Sequence, residues 1–234
     1  MDLKKIAAEK ALELIAPHGP NVMRVGLGAG STIAYLVELL AANPVQGVEL
    51  YTSADATAAL LNAKGLPVHD VANVARLDLY LDGCDQLDRE LNALKSGGGI
   101  HTSEKLLARM AREFVLLGDT SKYVERLDTR YPICLEVLTE AVEHVRSECL
   151  RAFPTSRLEV RRDPQGQPIV TKRGHWLADV RFGEMPELAA ANQVLKFTAG
   201  VVETSLFYRI ARKAILAGPD GVTVLTAGSS PSFA

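Results

Sequence analysis

The sequence predicts an α/β protein in which a parallel sheet, covered on both faces, carries a smaller inserted α+β unit. Three observations predict it. Strand-like and helix-like segments alternate up to about residue 128, the rhythm of a parallel sheet joined by helical crossovers. The order then changes to β-α-β-β-α-β, the split βαβ arrangement. Two further apolar segments, 213–217 and 222–225, come after that and are placed to return to the first sheet.

The elements follow in order. Leu3, Ile6, Ala7, Ala11, Leu14 and Ile15 recur at helical spacing, and the prolines within 17–20 break the helix. Residues 22–27 read as a buried strand, 26–30 as a glycine-rich turn, and 31–42 as a helix with Ser31 or its neighbour near the N-cap. The pattern repeats with a strand at 48–52, a helix at 54–64, and strands at 66–71 and 77–82. A helix at 103–112 then runs into a strand at 113–118 that ends at Asp119. Beyond residue 128, 133–138 reads as a strand, 139–153 as a helix and 158–162 as a strand. Residues 169–182 form one long extended stretch, 187–197 a helix and 201–207 a strand. Asp163-Pro164-Gln165-Gly166 is a turn between strands, with Asp first and Pro second. The fold class is therefore a Rossmann-like parallel-sheet domain, residues 1–128 plus 208–234, with an inserted smaller ferredoxin-like α+β domain, residues 129–207. No internal repeat or low-complexity segment occurs, and only 227–234 reads as a frayed tail.

Composition narrows the function. At 234 residues the chain can build a large domain and a small one. Lys and Arg number 26 and Asp and Glu 28, a formal charge of −2 that argues against a broad nucleic-acid or membrane footprint. Any anion site must be local. Cys84, Cys134 and Cys149 show no CxxC spacing and are odd in number, which fits small core-like residues in a reducing compartment. No apolar run reaches about 18 residues, and the N-terminus is charged and amphipathic rather than a signal peptide. A soluble, cytoplasmic protein is expected.

Three loops fall at the carboxyl ends of expected parallel strands, the edge on which open α/β sheets bind ligands. The first is Gly26-Leu27-Gly28-Ala29-Gly30-Ser31-Thr32. Its backbone amides, helix start and two hydroxyls suit phosphate, the other reading being a tight turn that needs positive φ. It is a poor dinucleotide fingerprint, because the third glycine of G-x-G-x-x-G would fall at Ser31. The second is Asp82-Gly83-Cys84-Asp85, either a solvated turn or a carboxylate pair held by cations, sugar hydroxyls or water. The third, Lys95-Ser96-Gly97-Gly98-Gly99 followed by Glu104-Lys105, sets a cation, a side-chain-free backbone and a carboxylate within ten residues. Consecutive glycines contribute no buried side chain and cost backbone entropy, so something needs the backbone close. Glu104 falls at a helix start whose dipole favours the ionised form a base requires, although first-turn acids are also ordinary helix starters and Lys95 alone is equally a surface charge. Lys122, in Asp119-Thr120-Ser121-Lys122 after another strand end, is either a fourth member of this rim or a solvated lysine.

Taken together, these segments resemble ribose-5-phosphate isomerase of the A type, collinearly over nearly the whole chain. The family's G-x-G-T-G-S-T appears as residues 26–32, and its D-G-A-D-E as Asp82-Gly83-Cys84-Asp85-Gln86. Its K-G-G-G appears as Lys95-Ser96-Gly97-Gly98, its R-E-K as Ser103-Glu104-Lys105 and its D-x-S-K as Asp119-Thr120-Ser121-Lys122. Gly200-Val201-Val202-Glu203-Thr204-Ser205-Leu206-Phe207 echoes G-V-V-E-x-G-L-F, and Pro219-Asp220-Gly221 the closing P-D-G. The resemblance implies interconversion of ribose 5-phosphate and ribulose 5-phosphate through an enediol(ate), with no metal and no organic cofactor. It implies Glu104 as the base, with Asp82, Asp85 and Lys95 contacting sugar hydroxyls and stabilising the negative oxygen. It further implies substrate binding by Gly28, Ala29, Gly30, Ser31, Thr32, Gly83, Cys84, Ser96, Gly97, Gly98, Lys122 and Lys4, and a homodimer or homotetramer. The partner is then a small sugar phosphate, with no nucleic acid and no membrane.

The chain departs from the pattern in places. Ala29 replaces a threonine, Gln86 an acid, and Ser96 a glycine, the last being harmless only if φ there is negative. His101 stands where small apolar residues are usual and is expected as an exposed loop histidine, with tuning of the base or substrate contact as the other reading. Gly174-His175-Trp176-Leu177-Ala178-Asp179 keeps the family's G-N-x-x-x-D only loosely. Competing functions are a non-catalytic sugar-phosphate sensor and an isomerase of a different aldose phosphate. A CoA transferase of similar architecture would need a glutamate nucleophile and a CoA groove that nothing in the sequence marks.

Overall fold

The computed structural model describes residues 2–17 and 21–228, so the expected break at 17–20 and the expected tail at 227–234 lie largely outside the described residues. Helix α1 (Leu3–Leu12) starts where Asp2 accepts hydrogen bonds from the Lys4 and Lys5 amides at 3.1 and 3.4 Å, satisfying two donors that have no intrahelical partner. Its buried face is Ala7, Ala8 and Ala11, small residues that let the helix lie close to its neighbours. After β1 (Met23–Leu27), helix α2 (Ser31–Ala42) buries Ile33, Leu36, Val37 and Leu40, one apolar stripe at helical spacing. Then come β2 (Val48–Tyr51), α3 (Asp55–Ala63), β3 (Val68–His69), β4 (Leu77–Gly83), β5 (Gln86–Asp88), β6 (Ala93–Leu94), α4 (His101–Met110), β7 (Ala111–Asp119) and β8 (Tyr123–Val124). The second part holds β9 (Ile133–Val137), α5 (Val142–Ala152), β10 (Arg157–Val160), β11 (Trp176–Arg181), α6 (Leu188–Phe197), β12 (Val201–Thr204) and β13 (Leu206–Phe207). The chain closes with β14 (Lys213–Gly218) and β15 (Gly221–Thr226).

Three sheets result. The seven-stranded sheet runs β15-β14-β7-β4-β1-β2-β3 and is parallel except for the β14–β15 hairpin. From β1 the chain winds outward through β2 and β3 on one side and resumes through β4, β7 and β14 on the other. The carboxyl ends of β1 and β4 therefore flank the point where the winding reverses, the usual ligand crevice of open α/β sheets. One face packs on α1 and α2 around Leu27, Leu36, Val37 and Leu81, and the other holds Tyr80, Leu107, Phe114, Leu116 and Phe207. The four-stranded antiparallel sheet runs β10-β11-β9-β12, the order expected of a ferredoxin-like unit. A third sheet, β13-β6-β5-β8, joins the two. Its β5–β6 hairpin turns the chain back so that Asp85 donates its amide to Leu94 O at 2.8 Å and Lys95 its amide to Ser205 O at 3.0 Å.

Several expected elements differ. The helix expected at 103–112 begins at His101 and ends at Met110, so Glu104 falls late in its first turn. The long stretch expected at 169–182 is cut by a turn in which Gly174 (φ +82°) donates to Thr171 O at 2.9 Å, and only Trp176–Arg181 is regular strand. The strand expected at 201–207 divides at Ser205 between the four-stranded sheet and the third sheet. Residues 66–71 yield only a two-residue strand before a short 3-10 turn. Among the described residues no helix is long and apolar enough to cross a membrane.

Phe114 joins the layers, with ring centroids 5.3 Å from Tyr80 and 5.9 Å from Phe207. Phe114→Ala is expected to lower stability by about 3–5 kcal/mol, the usual cost of an aromatic cavity in a core. The shift in urea midpoint at unchanged slope measures it.

Candidate active site

The three loops converge on a cleft of about 250 Å³ at the reversal point of the sheet. Its lining includes Lys4, Ala29, Gly30, Ser31, Thr32, Gly83, Cys84, Asp85, Lys95, Gly97, Gly98, Glu104 and Lys122. A larger recess of about 960 Å³ opens elsewhere, along Asp88, Arg126, Glu187 and Arg209, with no glycine loop facing it.

Asp82 is the anchor. It is fully buried, and Tyr80, two residues earlier and on the same face of β4, donates its hydroxyl to Oδ2 at 2.7 Å. Oδ1 accepts the Ala29 amide at 3.1 Å and the Gly83 amide at 2.7 Å. This close fit explains Gly28: a Cβ there would stand 1.9 Å from Asp82 Cγ. Gly28 also gives its carbonyl to the Thr57 hydroxyl at 2.7 Å, so it shapes the loop without lining the cleft.

Lys95 bridges two carboxylates. Its Nζ lies 2.9 Å from Asp82 Oδ2 and 3.4 Å from Glu104 Oε1, donates to Gly83 O at 2.6 Å, and stands 5.7 Å from the Phe207 ring centroid. Burial works against its charge, but Asp82 and Glu104 outweigh that and hold its pKa above the ordinary lysine value. In Glu104, 5 % exposed, it is the charged form that is disfavoured. Burial and the neighbouring Asp82 charge, only partly offset by Lys95, raise its pKa to about 7. A carboxylate poised near neutrality beside a fixed cation is suited to taking and returning a proton.

The rest of the cleft supplies anion contacts. Gly30 begins α2 at φ +93°, ψ 177°, which favours glycine, and no side chain caps the helix. Its first amides, with Ser31 and Thr32, are therefore presented to the cleft end that Lys4 and Lys122 also line. Lys4 sits in the turn pinned by Asp2, and Lys122 ends a 3-10 turn capped by Asp119. Asp85 Oδ2 accepts the Ser96 and Gly97 amides at 2.6 and 3.0 Å. Cys84 lines the cleft with its thiol pushed up to about 12 by burial, hence protonated.

Some expected residues lie elsewhere. Asp82 is behind Lys95 and does not line the cleft. Ser96, which is not among the positive-φ residues, turns its hydroxyl away to Pro132 O at 2.5 Å and Ser205 Oγ at 2.9 Å. Gln86 faces Asp128, exchanging two hydrogen bonds of 2.9 Å. His101 is neither exposed nor in a loop. It is buried as the first residue of α4, its Nε2 3.3 Å from Glu203 O, and burial together with the Lys105 charge lowers its pKa to about 4.

The sequence reading also missed residues that hold the site. Tyr80 reads as core, yet it carries the hydroxyl beneath Asp82. Arg161, paired with Asp179 at 2.5 Å, donates to Gly97 O at 3.4 Å. Lys105 Nζ is buried against Glu203 at 2.9 Å. Glu136 is an acid inside an otherwise apolar strand, and that alternation break was the signal available.

Comparisons with known proteins place the chain in a family. The family described as Ribose 5-phosphate isomerase A (phosphoriboisomerase A) matches residues 50–221. Ribose-5-phosphate isomerase A of Nitrobacter hamburgensis is 35% identical over 229 residues, covering 95% of this chain and 97% of that one. The Rhodopseudomonas palustris protein of the same name (strain BisB18) is 33% identical over 230 residues, covering 96% and 97%. Among solved structures, ribose 5 phosphate isomerase A from Neisseria gonorrhoeae superposes with a TM-score of 0.86 at 29% identity, covering 97% of both chains. A D-ribose-5-phosphate isomerase in complex with phospho-erythronic acid gives a TM-score of 0.87 at 28% identity, covering 96% of this chain and 98% of that one.

Two glycine substitutions test the fit around Asp82. Gly28→Ala is expected to displace the Asp82 carboxylate, lowering stability by about 1–3 kcal/mol as overpacking does and cutting turnover at least about tenfold as the Lys95 contact shifts. Gly83→Ala, whose Cβ would meet nothing closer than 3.8 Å, is expected to stay within about 0.5 kcal/mol of the parent. Denaturant midpoints and steady-state rates distinguish the pair.

Proposed function

The chain belongs to the ribose 5-phosphate isomerase A family, and we propose that Glu104 carries the proton in its reaction, the interconversion of D-ribose 5-phosphate and D-ribulose 5-phosphate. The observation that carries this reading is the buried Glu104 carboxylate, 3.4 Å from Lys95 Nζ in a cleft whose other end is a glycine loop and an uncapped helix start. The phosphate is held by the Gly30 to Thr32 backbone and hydroxyls with Lys122 and Lys4, which sets the sugar's C1 and C2 toward Glu104.

Starting from the open-chain aldose, the Glu104 carboxylate takes the C2 proton. The C2–H electrons form the C1–C2 double bond, and the C1 carbonyl oxygen takes the negative charge. Lys95, whose ammonium is fixed before the substrate arrives, stabilises that oxygen. Protonated Glu104 then returns its proton to C1. As it does so, the C2 hydroxyl proton passes to O1 and the electrons it leaves on O2 form the C2 carbonyl of the ketone. Asp85 lines the cleft with one oxygen tied to two amides and takes a sugar hydroxyl, the contact that assists ring opening. Asp82 acts behind the cleft, fixing Lys95 and the Ala29 and Gly83 amides.

We assign the chain to two domains, 1–128 plus 208–234 and 129–207, supported by the membership of the two larger sheets. A cytoplasmic homodimer or homotetramer is part of the same reading. Phe197, 81% exposed, with Val170 and Leu150 on the smaller domain, supports that domain as a contact surface. Sedimentation equilibrium tests the assembly.

Ketose formation from ribose 5-phosphate is the direct assay. Glu104→Gln is expected to keep the fold and cut kcat by at least about 10²-fold, within the range of a positioned base; near-native turnover would remove Glu104 from the mechanism. Because only the carboxylate accepts a proton, kcat/KM is expected to fall as pH drops through about 7, the direction set by burial of Glu104. A flat profile from pH 5 to 8 would count against that assignment. Phospho-erythronic acid, whose carboxylate offers two oxygens as an enediolate does, is expected to compete with substrate and to lose most of its inhibition in Lys95→Met.

A further inference from the structure

The catalytic segment is held from outside its own domain, by one cross-strand row of the four-stranded sheet. Leu177, Glu136 and Glu203 stand opposite one another on β11, β9 and β12. Residues directly opposite in neighbouring strands point to the same face. Alternate residues Ile133, Leu135 and Val137 pack into the smaller domain's own core, so this row is on the other face, against α4. Its contacts fall three residues apart, at Gly99, Thr102 and Lys105. Leu177 fills the space over Gly99, where a Cβ would come within 2.4 Å. Glu136 accepts a hydrogen bond from the Thr102 hydroxyl. Glu203 pairs with Lys105 at 2.9 Å.

Glu136 is 1% exposed yet fully partnered. Besides Thr102, it meets the Thr171 hydroxyl at 2.9 Å, His175 Nδ1 at 2.8 Å and Arg173 Nη1 at 4.0 Å, and Arg173 also donates to Ser103 Oγ at 2.8 Å. Burial alone would raise its carboxyl, but Thr102, His175 and Thr171 hold it below the ordinary value. Its charge is thus retained, and it grips the residues just before Glu104.

We propose that Glu136 is a positioning residue for Glu104, acting through the Thr102 hydroxyl to fix the rotation of α4 about its axis. Thr102 and Glu104 are two residues apart, so they project from nearly opposite sides of the helix. The grip on one side sets where the other points. A carboxylate about 5–6 Å from a helix axis moves roughly 2 Å when the helix turns by about 20°, and a displacement of about 1 Å is enough to cost on the order of 10²-fold in rate. Ground-state binding does not pass through this contact, because the phosphate loop, Lys122 and Lys4 lie on other elements. The signature is therefore a loss in kcat with little change in KM.

The inference rests on Glu104 as the base, and the tests separate the two. Thr102→Val keeps the volume and removes the hydroxyl; it is expected to lower kcat about tenfold with KM within about twofold, and Thr102→Ser to restore it. Glu136→Gln, which leaves one acceptor oxygen for the Thr102, Thr171 and His175 donors, is expected to lower kcat as well, and the Thr102→Val/Glu136→Gln double variant to be no worse than the poorer single variant, because both act on one link. The proposal is overturned if folded Thr102→Val keeps parental kcat, if Thr102→Ser is as impaired as valine, if KM rises in step with the loss, or if the two substitutions add fully. Should Glu136→Gln fail to fold, the valine and serine pair still decides. Inactive Glu104→Gln beside parental Thr102→Val would sink this inference alone, whereas active Glu104→Gln would sink the base assignment.

Discussion

The structure depends on one buried cation. Lys95 is almost fully removed from water between Asp82 and Glu104, with Gly83 O as a further acceptor. A buried charge is tolerated only when paired and hydrogen-bonded, and removing one partner of such a pair costs about 3–5 kcal/mol. The chain meets that requirement with elements far apart in sequence. The β5–β6 hairpin returns Lys95 to the end of β4, the absence of a Cβ at Gly28 admits the Asp82 carboxylate, and Tyr80 supplies the hydroxyl beneath it. The raised pKa of Glu104 belongs to the same arrangement, since burial raises it first, the Asp82 charge adds to that, and Lys95 offsets them only in part.

Much of this was legible in the sequence, for reasons particular residues make plain. The β1–α2 unit is marked by an apolar run, a glycine turn and a helical stripe, and α2 spans the expected residues 31–42. The smaller sheet followed from strand order, because the apolar run at 133–138 and the alternation at 158–162 are local signals. The convergence of Gly30, Asp85, Lys95 and Glu104 followed from strand ends. What escaped the reading is what depends on distant partners. His101 read as an exposed loop residue because nothing near it in sequence shows that Glu203 O and the four-stranded sheet cover it. Asp82 and Asp85 looked alike as a pair, yet one faces Tyr80 and the other the cleft. Residues 86–94 carried no strong periodicity, because two- and three-residue strands are too short to show one.

The smaller domain is more than an appendage on this view. Its inward face contacts Gly97 through Arg161, Gly99 through Leu177, Thr102 through Glu136, and Lys105 through Glu203. The first part of the chain supplies the glycine loop and Lys95, and the smaller part packs on the segment that holds Glu104. The residues that line the cleft all come from the first part of the chain, and the smaller part braces them from behind.

The placement of β14 beside β7, after the whole insertion, bears on how the chain is made. During synthesis, β7 with its apolar run Phe114 to Leu117 emerges long before its outer neighbour. About 90 residues separate the two, so at roughly 5–20 residues per second that strand edge stays open for several seconds or more. An unpaired apolar edge is a template for wrong partners. The insertion therefore sets a window of vulnerability in the cell, and a fast-folding smaller domain, by bringing the end of β13 back toward the first sheet, shortens the search that β14 must make.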